Sequence, residues 1–547
     1  MQRNLTNPES DTPDTVSKPP FEKESAKQPA SIRVRAVFAL SVFACVFTGI
    51  FGILKPDALA AAITRLTTFS LNAFDWVFLL SITIFIFFCF FLAFSRIGDI
   101  KLGSPDEEPE FGVVSWLSML FAAGMGAGLL FWGVAEPLHH YMAPPPDYQS
   151  MTPASARWAL VVTNLHWGIH AWGIYAMAAL VLGYFGFRRG RPMLASTPIE
   201  TVFPGRFGRS IGSLADLIAV VAVAFGIAGS LGMGVMQINA GLSDVFGTPS
   251  DSLPFLFAIL VVLVLFYMIP ITTDLGQGIK LLSNLNLAVA LLLMLYIMFL
   301  GPTGFILSTF TTSLGDYMTN ILNLSFRLYP YSGKTEWTRI WTLTYLIWWI
   351  AWAPFVGVFI ARISRGRTIR EFALTVILFP TLFSALWFAV FGGAGLHLEL
   401  FGRGGLASLV LEDSSRALFA LFSHFPHPVL LAVATIFLIL VFLSTSAASG
   451  AFVLGMMTTG GSLDPPRGRK LFWGATVAVL TSVVLLAGGG VQVLRAIAIS
   501  GALPFTLIMI LQVACLVTSL SEERKYVRMS FPALDQQNEE DEEETAP

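Results

Sequence analysis

Twelve apolar runs, each long enough to cross the roughly 30 Å of a bilayer's hydrocarbon, divide this chain. They fall near residues 36–54, 74–94, 112–133, 158–184, 211–243, 254–272, 281–300, 340–361, 369–394, 427–457, 471–488 and 492–519. In hydrocarbon every backbone N–H and C=O must be paired internally, so such runs fold as helices and not as loops or open sheets. The chain is therefore expected to be an all-α, polytopic membrane protein. Only 12% of its residues are charged, against about 25% in soluble domains, and its mean hydropathy is +0.71. A net charge of −2 offers nucleic acid no basic footprint. Cys45, Cys89 and Cys515 all lie inside apolar runs, which suggests neither disulfides nor a metal cluster.

Lysine and arginine orient the helices. With the N-terminus in the cytoplasm, 24 of the 33 fall on the inner side, eight on the outer, and Arg495 within a helix, as the positive-inside rule requires. Twelve spans return the chain to its starting side, so both termini are expected in the cytoplasm. Residues 1–35 read as a disordered tail, 36–519 as a twelve-helix membrane domain, and 520–547 as a tail ending in six acids at 539–544. Residues 303–336 carry apolar side chains at helical spacing among Ser, Thr and Asn, which predicts an amphipathic helix on the outer surface. Residues 402–424 predict a short helix that does not span. The fifth and tenth runs are long enough to demand tilt or a break.

Four stretches carry unusual residues. The third run contains Ala122-Ala123-Gly124-Met125-Gly126-Ala127-Gly128, then Phe131 and Glu136-Pro137. Small residues favour close helix packing, but alternating glycines also loosen the helix, so backbone groups can turn toward an ion or a carboxylate. Glu136 is placed at the membrane edge, as a structural acceptor. The fourth run holds His166, Trp167, His170, Trp172 and Tyr175. On an unbroken helix Trp167, Tyr175 and Trp172 stand at about 0°, 80° and 140° and cover one side. The histidines are one turn apart without a carboxylate in the motif, which fits hydrogen-bonded packing better than a metal pair. The eighth run carries Trp337, Trp341, Tyr345, Trp348, Trp349 and Trp352. Trp337 and Trp341 suit an interfacial belt, whereas Trp349 and Trp352 lie mid-helix, where they could wall a cation–π cage. The tenth run has Ser444-Thr445-Ser446 and Ser449. These hydroxyls either bond back to the preceding turn or offer hard oxygens to a small cation. Glycine-rich interruptions are expected at matching places in the third and eighth runs.

In order and spacing these motifs resemble the betaine/carnitine/choline transporters: Ala-Gly-Met-Gly-x-Gly followed by Glu-Pro, Trp-x4-Trp-x2-Tyr, the Trp cluster closing on Ile363-Ser364-Arg365-Gly366-Arg367, and Thr445-Ser446-Ala447. The resemblance implies twelve helices, with a leucine-transporter-like inverted repeat of helices 3–7 and 8–12 after two extra helices. It also implies a homotrimer in the bacterial inner membrane, surrounded by lipid. By motif position, Trp167, Trp172, Tyr175 and Trp349 form an aromatic box around a trimethylammonium group. Trp352 and Phe131 line the same path, and Phe355 belongs to a cytoplasmic gate. One sodium site uses the carbonyls of Ala122, Met125 and Phe442 with the hydroxyls of Thr445 and Ser446. Departures are Leu346, Ala353 and Ala448 where the family carries Trp, Ser and Asp, and Gly229 near a family Thr.

The function this implies is sodium symport of a zwitterionic quaternary ammonium solute, foremost glycine betaine, by alternating access. The substrate carboxylate is met by backbone from Gly124 through Met125 and Gly126 to Gly128. No organic cofactor is expected, with Na⁺ as the coupling ion. A sodium-independent exchanger of carnitine- or choline-like substrates is the alternative; such members carry an Arg in helix 5, and no Lys or Arg occurs between 211 and 243. Ectoine, dimethylsulfoniopropionate and proline betaine remain open as substrates. No continuous polar stripe suggests a channel, and of the clustered acids or histidines that a membrane enzyme needs only His166 and His170 qualify, weakly.

Overall fold

A computed structural model describes residues 32–530 except Met125, Asp251, 273–275 and 487–490; the side chains of 121–124, 276–282, 491–501, 503 and 524–530 are also outside the description. The helices are α1 (Ile32–Leu54), α2 (Pro56–Phe94), α3 (Val113–Gly124), α4 (Ala127–Met142), α5 (Pro153–Trp167), α6 (Ile169–Gly183), α7 (Thr197–Val202), α8 (Arg206–Phe246), α9 (Leu253–Thr272) and α10 (Gly276–Leu300). There follow α11 (Thr303–Ser325), α12 (Thr335–Thr338), α13 (Thr344–Ile363), α14 (Ile369–Phe401), α15 (Leu406–Glu412), α16 (Ala417–Phe422), α17 (Pro428–Met457), α18 (Arg467–Leu486) and α19 (Val491–Ser530). Among the described residues there is no strand, only an isolated bridge between Lys101 and Thr368.

Among the described residues, eleven helical stretches are long and apolar enough to cross a membrane. The remaining predicted span, 112–133, is split into α3 and α4, of 12 and 16 residues. The bundle turns large apolar side chains outward, among them Phe43, Phe94, Leu292 and Phe299, as a protein whose solvent is lipid must. Its inside holds α4, α5, α6 and α13, the last packed along α6. The long α8 packs against α17 and α19. Glycines make that approach possible: a Cβ at Gly234 would stand 2.1 Å from Leu443, and one at Gly450 2.1 Å from Ile227.

Of the alternatives of tilt or a break in the fifth and tenth runs, the break is absent, since α8 and α17 run 41 and 30 residues continuously. Other expectations change. The eighth run is not interrupted either; it winds through a π-turn at Arg339–Leu343 and continues as α13 past Pro354. The second break lies instead in the fourth run, at Gly168 (φ −97°, ψ −133°), between α5 and α6. A Cβ there would meet the Asn164 carbonyl at 2.4 Å, so only glycine fits. The Ile169 N–H freed by the break donates to the Tyr317 hydroxyl at 3.1 Å, from the amphipathic helix α11. α19 extends to Ser530, well past the predicted span. The disordered N-terminal tail expected at residues 1–31 and the acidic end of the C-terminal tail lie outside the described residues.

On the arginine-rich side the loop after α2 is zipped to the loop before α14: Leu102 N–H donates to the Arg367 carbonyl at 2.8 Å, and Gly366 N–H to the Leu102 carbonyl at 2.9 Å. Gly366 is left-handed (φ +81°) with Glu108 backbone 2.5 Å from where a Cβ would stand. α19 is tied to the end of α6 through Glu523, which accepts from Tyr184 at 2.6 Å and from Arg188 at 2.8 Å.

Candidate functional site

The two glycine breaks meet. A Cβ on Gly128, at the start of α4, would stand 3.0 Å from Trp167 Cη2, at the end of α5. Beside them lies a cavity of about 70 Å³, walled by Phe131, Trp167, Tyr175, Trp348, Trp349 and Trp352. Trp167 and Trp349 have ring centroids 4.9 Å apart at 73°, and Tyr175 and Trp349 5.9 Å apart at 75°. Rings at near right angles form the corner of a box rather than a stack. Trp172 does not line the cavity; it packs edge-on behind Tyr175 at 5.7 Å. The reason is the break at Gly168, which resets the helical register between Trp167 and Trp172 and removes the continuous face read from the sequence.

The walls are held by hydrogen bonds. Trp349 Nε1 donates to the His166 carbonyl at 2.7 Å, one that the break leaves without its usual partner. Trp167 Nε1 donates to Glu136 Oε2 at 2.6 Å. Glu136, expected as a structural acceptor, is fully buried. Its Oε1 lies 2.6 Å from His166 Nδ1 and 3.4 Å from His140 Nε2, while His166 Nε2 is 3.0 Å from Thr342 Oγ1. These three residues have the composition of a metal site, with ligand atoms within 4.8 Å of one another. However, the 2.6 Å N···O separation is that of a charge-assisted hydrogen bond, and two ligands on a tetrahedral zinc stand about 3.3 Å apart.

Sequence reasoning missed three polar atoms at the cavity. Trp348 Nε1, Trp352 Nε1 and Gln237 Oε1 are buried without a hydrogen-bond partner. Gln237 sits in α8 and gives its Nε2 to the Leu130 carbonyl at 2.9 Å; an amide in an otherwise small and apolar stretch of the fifth run was the available signal. Among the described residues no side chain lining this cavity is charged.

A second cavity, about 660 Å³, runs from Thr445 and Phe355 to Arg362 and Lys470. Trp352 lines the first cavity and Phe355 the second, their rings 5.5 Å apart. The box walls run on into an aromatic column, with Trp132 5.7 Å and His166 4.8 Å from Tyr345, and His140 4.6 Å from Trp341. The predicted sodium ligands are split. Ser446 lines the small cavity, 4.0 Å from where a Cβ on Gly126 would stand. Thr445 lines the large one, and its hydroxyl donates to the Val441 and Phe442 carbonyls, both at 3.0 Å, as in the back-bonding alternative. Ala122 lies in α3 with its side chain outside the description, Gly124 ends that helix, and Met125 lies outside the described residues.

Residues 36–525 match the family described as BCCT, betaine/carnitine/choline family transporter. The chain belongs to this family. The BCCT chain is 44% identical to the "Glycine betaine transporter OpuD" of Bacillus subtilis, over 90% of this chain and 96% of the relative. It is 40% identical to an "Ectoine/hydroxyectoine transporter" of Virgibacillus pantothenticus, over 89% and 97%. With the "Osmo-dependent choline transporter BetT2" of Acinetobacter baylyi it shares 38% over 89% of this chain and 71% of the relative. As a BCCT member it is a multi-pass membrane transporter of small solutes and not an enzyme.

Proposed function

We propose that this transporter imports a betaine-type zwitterion, glycine betaine first, by sodium symport with alternating access. The observation that carries the reading is an uncharged cavity lined both by aromatic rings and by two indoles with unpaired N–H groups. The faces of Trp167, Tyr175 and Trp349 attract a quaternary ammonium by about 0.5–2 kcal/mol each. Trp348 Nε1 and Trp352 Nε1 can donate to the carboxylate, and leaving them unpaired costs about 1–3 kcal/mol each. A zwitterion answers both needs without importing net charge. Sodium coupling is supported by Ser446 against the Gly126 break, by the carbonyl of Phe442, and by the lack of Lys or Arg between 211 and 243. The larger cavity, reaching Arg362 and Lys470, is the cytoplasmic vestibule under the positive-inside orientation. Trp352 and Phe355 separate it from the box.

A second substrate is favoured by one atom. Gln237 Oε1 is an acceptor, and glycine betaine has no N–H or O–H to offer it. Ectoine does, so it is expected to compete. Uptake of labelled glycine betaine into proteoliposomes, with Na⁺ or K⁺ as the outside cation, tests the proposal. Sodium-dependent accumulation supports it; equal uptake in potassium sinks the symport.

A further inference from the structure

We propose that Glu136 is a buried anion behind the box wall, polarising Trp167 and fixing which end of a zwitterion enters the box. The inference rests on the box holding the substrate's ammonium group. Glu136 accepts the Trp167 N–H at 2.6 Å, and its other oxygen faces His166 Nδ1 at 2.6 Å and His140 Nε2 at 3.4 Å, each able to donate an N–H. A carboxyl group facing donors only is in its acceptor form, the ionised one. His166 Nε2 lies 3.0 Å from Thr342 Oγ1; in the proposed arrangement the Thr342 hydroxyl donates there and His166 presents Nδ1–H to the carboxylate, whose charge is then not cancelled.

Two physical effects follow. An indole whose N–H donates to a carboxylate gains electron density in its ring, which strengthens the face offered to a cation. The charge itself also acts through a buried, low-dielectric wall, where fields are weakly screened. The first acts at Trp167 alone, since Trp349 gives its N–H to a neutral carbonyl and Trp348 and Trp352 give theirs to none, and the second is strongest at Trp167, the wall nearest the charge. The negative field at one wall draws the ammonium there and turns the carboxylate toward the unpaired indoles. Glu136 is thus a positioning residue that adds selectivity for charge, not shape.

The test is Glu136→Gln, which keeps size and an acceptor oxygen but removes the charge. The ligands are glycine betaine and its uncharged-head isostere 3,3-dimethylbutanoate, compared as half-saturation and inhibition constants in proteoliposomes. The variant should weaken glycine betaine about tenfold and the isostere less than twofold. Equal weakening of both would overturn the proposal and leave Glu136 a structural tie. If Glu136→Gln does not reach the membrane, Glu136→Asp, which keeps the charge, should preserve most of the preference for the charged ligand; loss of that preference counts against the proposal. If the wild-type protein binds neither compound, the substrate reading fails. The ultraviolet resonance Raman difference between wild type and Glu136→Gln then decides: a shifted indole N–H band supports the carboxylate tie, and an unchanged spectrum overturns it.

Discussion

Gly128 shows how one missing side chain sets the size and charge of the site. Its Cβ position is 3.0 Å from the Trp167 ring, so any substituent presses on a box wall. Gly128→Asp adds a carboxylate at that place. It would repel the carboxylate of a zwitterion and balance the charge of a cation that lacks one. The variant is expected to raise the half-saturation constant for glycine betaine roughly tenfold, since a like-charge contact costs on the order of 1–2 kcal/mol in a partly wet site, and to admit choline. Paired uptake assays with both solutes check this. Wild-type choline uptake as efficient as betaine uptake would contradict it. Gly226 has a similar role for Trp352, whose indole lies 3.2 Å from its Cβ position.

Among the elements, the α5–α6 break matters most, because it supplies the His166 carbonyl to Trp349 and the Ile169 N–H to Tyr317. α11 is therefore not only an amphipathic surface helix. Its Tyr317 caps the break, and its Ser325 hydroxyl meets His170 Nε2 at 2.9 Å. Tyr317→Phe leaves the Ile169 N–H buried and unpaired, a loss of about 1–3 kcal/mol. Thermal unfolding in detergent should register it as a lowered midpoint, with betaine affinity reduced in parallel; an unchanged midpoint would show that the cap is dispensable. Gly168→Ala forces a Cβ against the Asn164 carbonyl and should abolish uptake.

For the whole molecule, the question is what couples the C-terminus to the bundle. α19 is fixed by Glu523, bonded to Tyr184 and Arg188, and Arg188 also reaches the Gly103 carbonyl at 3.1 Å. The six acids at 539–544 lie beyond this tie and would be repelled by an anionic inner leaflet, where basic residues gain about 1 kcal/mol each. Deleting residues 531–547 is thus expected to leave the ratio of uptake at high and low osmolality unchanged. Glu523→Gln, by loosening the tie, should alter that ratio. Loss of osmotic response on the deletion alone would assign sensing to the acidic end. Higher activity at low salt would instead point to an inhibitory flap on basic loops, weakened by screening.

Much of this was legible from residue order. Runs of apolar residues must become helices in lipid whatever their neighbours, so the spans, the amphipathic α11 and the broken third run could be read directly. The family motifs implied Trp167, Tyr175, Trp349 and Trp352, which share the cavity. Tertiary structure alone decided the rest. No local signal distinguishes Gly168, where a carbonyl and a distant tyrosine leave no room for a Cβ, from Gly173, which stays helical. That break moved Trp172 out of the box. Likewise Glu136 looks like a membrane-edge acid in the chain, and only packing places it behind Trp167 with two histidines, because partners 30 residues away in sequence are chosen by helix contacts and not by spacing.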